Sequence, residues 1–149
     1  MAGTGVELSG FDEIGRYFDK LGALDKLRFA DIVGEEAIAV SEQAFQEEKD
    51  PINDVGWPDL AESTLKEKRS GKKLVERALL KRSIDYSAFP DGSALVGSNR
   101  IYSRIHNEGG EAGPGHQVEI PQRRFLGIDP DFYPRIFADR KVRELIGAE

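Results

Sequence analysis

The chain has 149 residues, contains no cysteine and carries a formal net charge of −6 at pH 7. Its length suits one domain over residues 1–149 with a hydrophobic core of its own, and the lack of cysteine excludes disulfides, cysteine-ligated zinc and a thiol nucleophile. It has no recognisable secretory signal and no apolar run of the ~18 residues that a membrane span needs. We therefore expect a soluble protein, made in the cytoplasm, without a membrane partner.

The charges are distributed unevenly along the chain. Residues 1–63 carry 15 acidic and 5 basic side chains, residues 66–82 carry 2 and 8, and residues 83–149 carry 10 and 8, which gives net charges of −10, +6 and −2. A basic block on an acidic protein is typical of nucleic-acid contact or of a surface that meets an acidic neighbour. A solvated helix face has the same composition, so charge alone leaves all three interpretations open.

The first half of the chain is predicted to be mainly helical. Residues 4–9 favour a short strand, and apolar residues spaced by three and four predict a first helix over 11–21. A second, longer helix is predicted over about 25–48, with acidic side chains facing water or a partner. Its predicted buried side consists of Phe29, Ile32, Val33, Ala37, Val40 and Ala44. The predicted outward side carries Asp31, Glu35, Glu36, Glu42 and Glu47.

Turn-forming residues then interrupt the helical pattern. The segment 49–60 contains two prolines, and its single tryptophan, Trp57, is predicted to anchor this loop in the core because of its large apolar area. Two shorter helices are predicted near 60–69 and 73–82. The apolar period then changes to two on both sides of the Pro-Asp-Gly at 90–92, which predicts a β-hairpin.

The stretch 101–127 contains both histidines of the chain. Residues 101–108 predict a short helix with Ile101, Ile105 and Tyr102 facing inward. The glycine-rich residues 109–115 predict an irregular loop, 116–120 a strand ended by Pro121, and the remaining residues a terminal helix. This order of elements predicts an α+β fold, with N-terminal helices packed on a small antiparallel sheet and a C-terminal helix.

The residue types in this stretch invite a metal or catalytic interpretation. His106, Glu108 and His116 are ligand types that zinc accepts, but a glycine loop separates the two histidines and gives them no rigid support. The chain has no nucleophile elbow, no P-loop and no dinucleotide fingerprint. The basic block contains no aromatic residue for base stacking, so nonspecific phosphate contact is the only nucleic-acid binding we expect. We predict no catalytic residue, no metal and no cofactor.

Five short motifs follow one another between residues 45 and 127. In chain order they are FQEEKDP, GWPDLAESTLKEK, LVERALLKRSI, VGSNRIYSRIHNEGG and IPQRRFLG. Each is weak alone, but their order resembles the phage virion morphogenesis family of Mu-like tail-completion proteins over about 45–129. Members usually have glycine where Ala78 stands, and many have proline where Arg124 stands. The alanine predicts that the helix simply continues at this point in the present chain.

The resemblance implies a structural virion protein that is not an enzyme. It would complete the phage tail and take part in head–tail joining, as a ring, one candidate size being a hexamer, at the head-proximal end of the tail. It would be assembled in the host cytoplasm, and its partners would be the tail tube, the tail terminator and the connector. The alternatives are a head–neck connector or tail-terminator component and, from a different class, a nucleic-acid-contacting accessory protein.

The resemblance also implies roles for individual residues. Opposite charges suit a ring, because acidic residues of 1–63 can meet the basic block of a neighbouring copy. The interaction candidates are Lys66, Lys68, Arg69, Lys72, Lys73, Glu111 and Gly113. The structural motif residues are Trp57, Tyr102, His106, Gly109, Gly110, Pro121, Arg123, Phe125, Leu126 and Gly127.

Four of these roles can be made specific. His106 is predicted to hydrogen-bond nearby backbone at a helix end and to fix the entry into the Gly109–Gly110 turn. Arg123 or Arg124 is predicted to pair with a carboxylate. Phe125 and Leu126 are predicted to lie in the core, and Gly127 to permit a turn before the last helix.

Overall fold

The longest element of the protein is helix α1, Lys26–Glu47. The computed structural model describes residues 4–8, 25–67 and 78–146. Asp25 begins α1 by accepting a hydrogen bond from the Arg28 backbone N–H at 3.0 Å, which satisfies a donor that the first turn leaves free. The helix ends at Glu48, whose φ of 54° is left-handed. The helix predicted over 25–48 is confirmed, and the one predicted over 11–21 lies outside the described residues.

Helix α1 covers one face of a three-stranded antiparallel sheet. The strands β1 (Thr4–Leu8), β2 (Ile84–Ala88) and β3 (Ala94–Ser98) are ordered β1-β3-β2, so β3 is central. Strands β2 and β3 form the predicted hairpin, with Ile84 opposite Ser98 and Ala88 opposite Ala94. A Cβ at Gly34 of α1 would overlap the ring of Tyr86, so glycine lets the helix lie close to the sheet. The predicted α+β fold is confirmed.

The remaining elements in the described part of the chain are short. They are α2 (Glu62–Glu67), α3 (Leu79–Arg82), α4 (Ser103–Glu108), β4 (Gly110–Ala112), β5 (Val118–Ile120), α5 (Phe132–Ala138) and α6 (Arg140–Leu145). The expected terminal helix is thus divided in two at Asp139, which is extended and caps α6 by accepting from the Lys141 N–H at 2.7 Å. The largest fully buried apolar side chains are Phe29, Phe45, Phe125, Phe132, Leu126, Ile136, Val33 and Val142.

Two predictions about the middle of the chain are wrong. Ile101 and Tyr102, expected to face inward, are 80% and 41% exposed, and the buried side chains of α4 are Ser103 and Asn107. A helix of six residues offers too few repeats for an apolar period to identify its inner face. The expected irregular loop over 109–115 contains β4, which pairs antiparallel with β5, and a 3-10 turn at Pro114–His116.

The expected helical continuation at Ala78 is also wrong. Ala78 has φ 52° and ψ 18°, a left-handed conformation, and α3 begins after it. A Cβ in this region meets the neighbouring carbonyl, which costs about 1–2 kcal/mol relative to the right-handed form, whereas glycine has no such cost. Glycine, which is usual at this position in the family that the chain resembles, would therefore adopt this left-handed conformation without that cost.

Substituting glycine at this position should stabilise the protein. We expect Ala78→Gly to raise the free energy of unfolding by ~0.5–1 kcal/mol, because the relief of left-handed strain exceeds the added entropy of the unfolded chain. The same substitution at the exposed, helical Ala39 should lower it by ~1 kcal/mol. Urea unfolding of both variants measures this, and two losses of equal size would contradict the left-handed conformation.

An arginine fixes the C-terminal helices to α1. Arg135 donates two hydrogen bonds to the carboxylate of Asp129, each 2.7 Å, and a third to Glu36 of α1 at 2.9 Å. The hydrogen bonds from Arg135 lower the pKa of Asp129 below its usual value of 3.8. Lys141 adds a 3.6 Å ion pair with Glu35. Two of the acidic residues expected to face water or a partner therefore bind cations of their own chain.

The lowered pKa of Asp129 predicts a pH-dependent contribution to stability. Because the folded-state pKa lies below the unfolded-state value, the contribution is complete above about pH 4 and is lost as pH falls through the folded-state pKa. Asp129→Asn should cost up to ~1 kcal/mol at pH 7, and the difference should close in acid. Asp131→Asn, at an exposed carboxylate, is the control for urea titrations across this range. A deficit of constant size at every pH would contradict this role.

Candidate functional site

The last family-like motif, residues 121–127, belongs to none of the helices and β-strands, and its Arg123, Phe125 and Leu126 are buried; we call this length of chain the motif strand. Its Arg123 N–H donates to the carbonyl of His106 at 2.8 Å. The N–H groups of Phe125 and Leu126 both donate to Oδ1 of Asn107, each at 3.0 Å. One buried side-chain oxygen thus satisfies two consecutive backbone donors, which would otherwise lose their hydration without replacement.

The carbonyl groups of the motif strand are satisfied by the opposite side of the fold. Ser41 of α1 donates its hydroxyl to the Phe125 carbonyl at 2.6 Å, and Trp57 donates its indole N–H to the Arg124 carbonyl at 2.8 Å. The motif strand therefore joins α1, α4 and the loop before α2 through hydrogen bonds between residues that are far apart in the sequence.

The two arginines of the motif strand bind different acceptors. Arg123 is only 5% exposed, and its guanidinium donates to the carbonyls of Pro58 and Asp59 at 3.0 and 2.9 Å. Burial is the main cause that lowers its pKa from the ordinary value. Arg124 donates to Asp50 at 3.2 Å, which is the carboxylate pair predicted for one of the two arginines. The position at which many members of the resembling family have proline therefore makes an ion pair in this chain.

We call the contacts of the motif strand with α1, α4 and the loop before α2 the joint. Aromatic packing completes the joint. Trp57 meets Phe45 edge-on with ring centroids 5.5 Å apart, and Phe45 contacts Phe125 at 5.1 Å. The predictions that Trp57, Phe125 and Leu126 are core residues are confirmed, at 4%, 0% and 2% exposure. Gly127 allows a close approach, because a Cβ there would lie 2.8 Å from Cγ1 of Ile52.

The end of α4 places the motif strand. His106 contributes its backbone carbonyl, while its ring lies edge-on to Tyr102 with centroids 6.1 Å apart. Asn107, which the sequence interpretation passed over, supplies the decisive side chain and is 7% exposed. A signal was present, because Asn107 is a polar residue four positions after Ser103, on the same face of a helix.

Glycine is needed where α4 meets the motif strand. Gly109 has a φ of 74°, and a Cβ there would lie 2.9 Å from the Gln122 nitrogen and 3.1 Å from the Ile120 carbonyl oxygen. Its own N–H donates to the Ile105 carbonyl at 2.8 Å and closes the helix. Gly110 begins β4, and Pro121 follows the last residue of β5. The chain can therefore leave α4 at Gly109, form a hairpin and return so that Gln122 lies in contact with Gly109.

The residues 110–120 form a hairpin that projects from this joint; we call it the hairpin. Glu111 and Glu119 lie directly opposite each other in it, and Gly113 opens its turn with a φ of 78°. Both glutamates are exposed, and Val118 is 52% exposed. The predicted interaction residues Glu111 and Gly113 thus lie on one element. Lys66 is exposed on α2, and Lys68, Arg69, Lys72 and Lys73 lie outside the described residues.

Comparison with known proteins agrees with the family resemblance that the order of the five motifs indicates. The model of the phage virion morphogenesis family matches residues 11–140. The chain belongs to this family. It is 41% identical to Mu-like prophage FluMu G protein 2 of Haemophilus influenzae, over 48% of this chain and 51% of that protein. It is 29% identical to putative capsid assembly protein G of Escherichia phage Mu, over 80% of each chain. No solved structure matches.

In this member of the family, the motifs converge on a joint. Four of the motif residues contact the motif strand or fix its position: Trp57, His106, Gly109 and Arg123. A groove beside the joint contains Asp50, whose carboxylate binds Arg124. The other ion pairs along the groove are Asp54–Lys49 and Asp129–Arg135. The carboxylates of these pairs are therefore matched by cations of the same chain.

The described residues also bear on the metal and membrane interpretations. Over 4–8, 25–67 and 78–146, no group of three or more His, Cys, Asp or Glu side chains is arranged to hold a metal ion. His106 lies in α4, and His116 lies in the 3-10 turn of the hairpin with a φ of 54°. None of the described helices has the length and apolarity needed to cross a membrane.

Removing the Asn107 side chain should destabilise the whole fold. Asn107→Ala leaves two buried N–H groups without an acceptor, so we expect the free energy of unfolding to fall by ~2–4 kcal/mol. Asn99→Ala is the matched control, because Asn99 is exposed, and it should change stability by less than ~0.5 kcal/mol. Urea unfolding followed by tryptophan fluorescence measures both. Equal, small effects would show that the joint does not depend on Asn107.

Proposed function

We propose that this protein completes the phage tail and takes part in joining the tail to the head, without catalysing a reaction. Membership of a virion morphogenesis family supports a role in building the phage particle. The observation that carries the rest is the placement of the family motifs in a buried joint. A protein whose signature residues lie in a buried, hydrogen-bonded joint, and whose exposed hairpin projects from that joint, is suited to binding other proteins.

A ring at the head-proximal end of the tail is the assembly that we propose. A ring repeats one heterologous interface until it closes, so each copy needs two different complementary surfaces. The net charges of −10 over residues 1–63 and +6 over residues 66–82 supply segments of opposite sign. Exposed ion pairs contribute only ~0–1 kcal/mol each, so apolar contact must contribute as well. Ile101, at 80% exposure, and Leu65, at 51%, are candidates for that contact.

The proposed partners are the tail tube, the tail terminator and the connector, with the protein residing in the tail or neck of the virion. A second candidate function is capsid assembly, because the relative from phage Mu is named a putative capsid assembly protein. The two functions differ in what accumulates when the protein is absent. Loss of tail completion leaves heads intact, whereas loss of capsid assembly removes them.

A phage that encodes this protein, with a stop codon early in its reading frame, tests the proposal. We expect electron microscopy of its lysates to show normal filled heads beside unjoined, unfinished tails. Purified protein added to such a lysate should restore infectious particles, and a mock preparation from cells without the gene should not. Lysates with few or aberrant heads would favour capsid assembly, and lysates with normal joined particles would contradict both functions.

A further inference from the structure

The hairpin carries an unfavourable arrangement of charge. Each of its strands has three residues, and its residues 113–119 are exposed. A two-stranded hairpin of this size is marginally stable in water, and like charges placed directly opposite each other destabilise it further. Glu111 and Glu119 form such a pair, and neither has an ion-pair partner in the described part of the chain. A cationic ligand would relieve this repulsion.

The base of the hairpin is nevertheless fixed. Gly109 lies against the backbone of Ile120 and Gln122, and the Gln122 side chain donates to the Asn107 carbonyl at 3.2 Å. The hairpin therefore projects in a defined direction from the joint. A surface fixed in this way loses less conformational entropy on binding than a mobile loop would.

The hairpin is better suited to an external cation than the acidic side of α1. On α1, Glu35 and Glu36 already bind Lys141 and Arg135 of the same chain, at 3.6 and 2.9 Å. The carboxylates of the hairpin face solvent. Beside them, Val118 is 52% exposed, so the same element offers an apolar contact as well as negative charge.

We propose that the hairpin of one copy binds the basic segment, residues 66–82, of the neighbouring copy. The basic segment has a net charge of +6 and includes the apolar pair Leu74 and Val75, so its chemistry complements both the carboxylates and Val118. Because the two surfaces are different parts of the chain, the contact is heterologous and can close into a ring. This inference rests on the proposed function for its ring, but self-association can be measured without any phage.

A charge exchange between two variants tests the contact. The first variant carries Glu111→Lys and Glu119→Lys, and the second carries Lys72→Glu and Lys73→Glu. Each variant alone should self-associate at least ~10-fold more weakly than the original protein, because the first replaces attraction by repulsion and the second lowers the net charge of residues 66–82 from +6 to +2. Mixed in equal amounts, the two should associate as tightly as the original protein, since each hairpin then meets side chains of opposite charge at positions 72 and 73. Sedimentation velocity at low and high salt measures all three samples.

The control variant carries Glu42→Lys and Glu47→Lys on α1, which changes the net charge by the same amount at exposed positions. It should weaken self-association less than about twofold, because general charge effects are screened at moderate salt. If the control variant weakened self-association as much as the hairpin variant does, the interface would include α1 and the proposal would be overturned. Weakening that mixing does not reverse, or an original protein that stays monomeric at every concentration, would also overturn it.

Crosslinking identifies the contact directly, because the chain has no cysteine of its own. With dissolved oxygen as the oxidant, Glu119→Cys protein mixed with Lys72→Cys protein should form a mixed disulfide faster than either variant pairs with itself. A pair of Glu42→Cys and Lys72→Cys is the matched control. Equal rates in both mixtures would exclude the hairpin as the contact. If the mixed disulfide forms but tails remain unfinished in lysates, the interface stands and the tail-completion role fails.

Discussion

The fold depends on one side-chain oxygen. Oδ1 of Asn107 accepts the N–H groups of two consecutive residues, Phe125 and Leu126, and so holds the motif strand against α4. Ser41 and Trp57 satisfy the carbonyls of the same strand from the other side. If this oxygen were absent, the aromatic side chain of Phe125 could not be buried without burying unsatisfied donors with it. Burial of Phe125 in the core and placement of the motif strand against α4 therefore depend on each other.

This dependence changes what the family motifs mean in this chain. A histidine followed by Asn-Glu-Gly-Gly, and a later strand with two arginines, has the residue types of a catalytic or metal site. In the structure, the backbone carbonyl of His106 receives the Arg123 N–H, and the guanidinium of Arg123 binds two carbonyls. These polar groups satisfy backbone atoms of the protein itself. The hairpin, which lies between the two motifs, is the part that projects from the joint.

Some of this was predictable from the sequence, where a pattern repeats often enough or a residue has one dominant property. Helix α1 spans 22 residues with a clear apolar period, β2 and β3 flank a proline–glycine turn, and Trp57 has a large apolar area. The spacing from Ser103 marks Asn107 as a polar residue on the same face of α4, but the two N–H groups that it accepts could not be predicted, because they are 18 and 19 residues away. The hairpin was missed because three-residue strands among glycines carry almost no periodic signal, and Ala78 was missed because alanine gives no indication of a left-handed backbone.

We propose that this protein forms a ring at the head-proximal end of the tail. Electron microscopy of purified tails, before and after incubation with the purified protein, tests this claim most directly. We expect new ring-shaped density at one end of each tail, with the tail tube unchanged along its length. Density on isolated heads instead, or tails whose ends are identical with and without the protein, would contradict it.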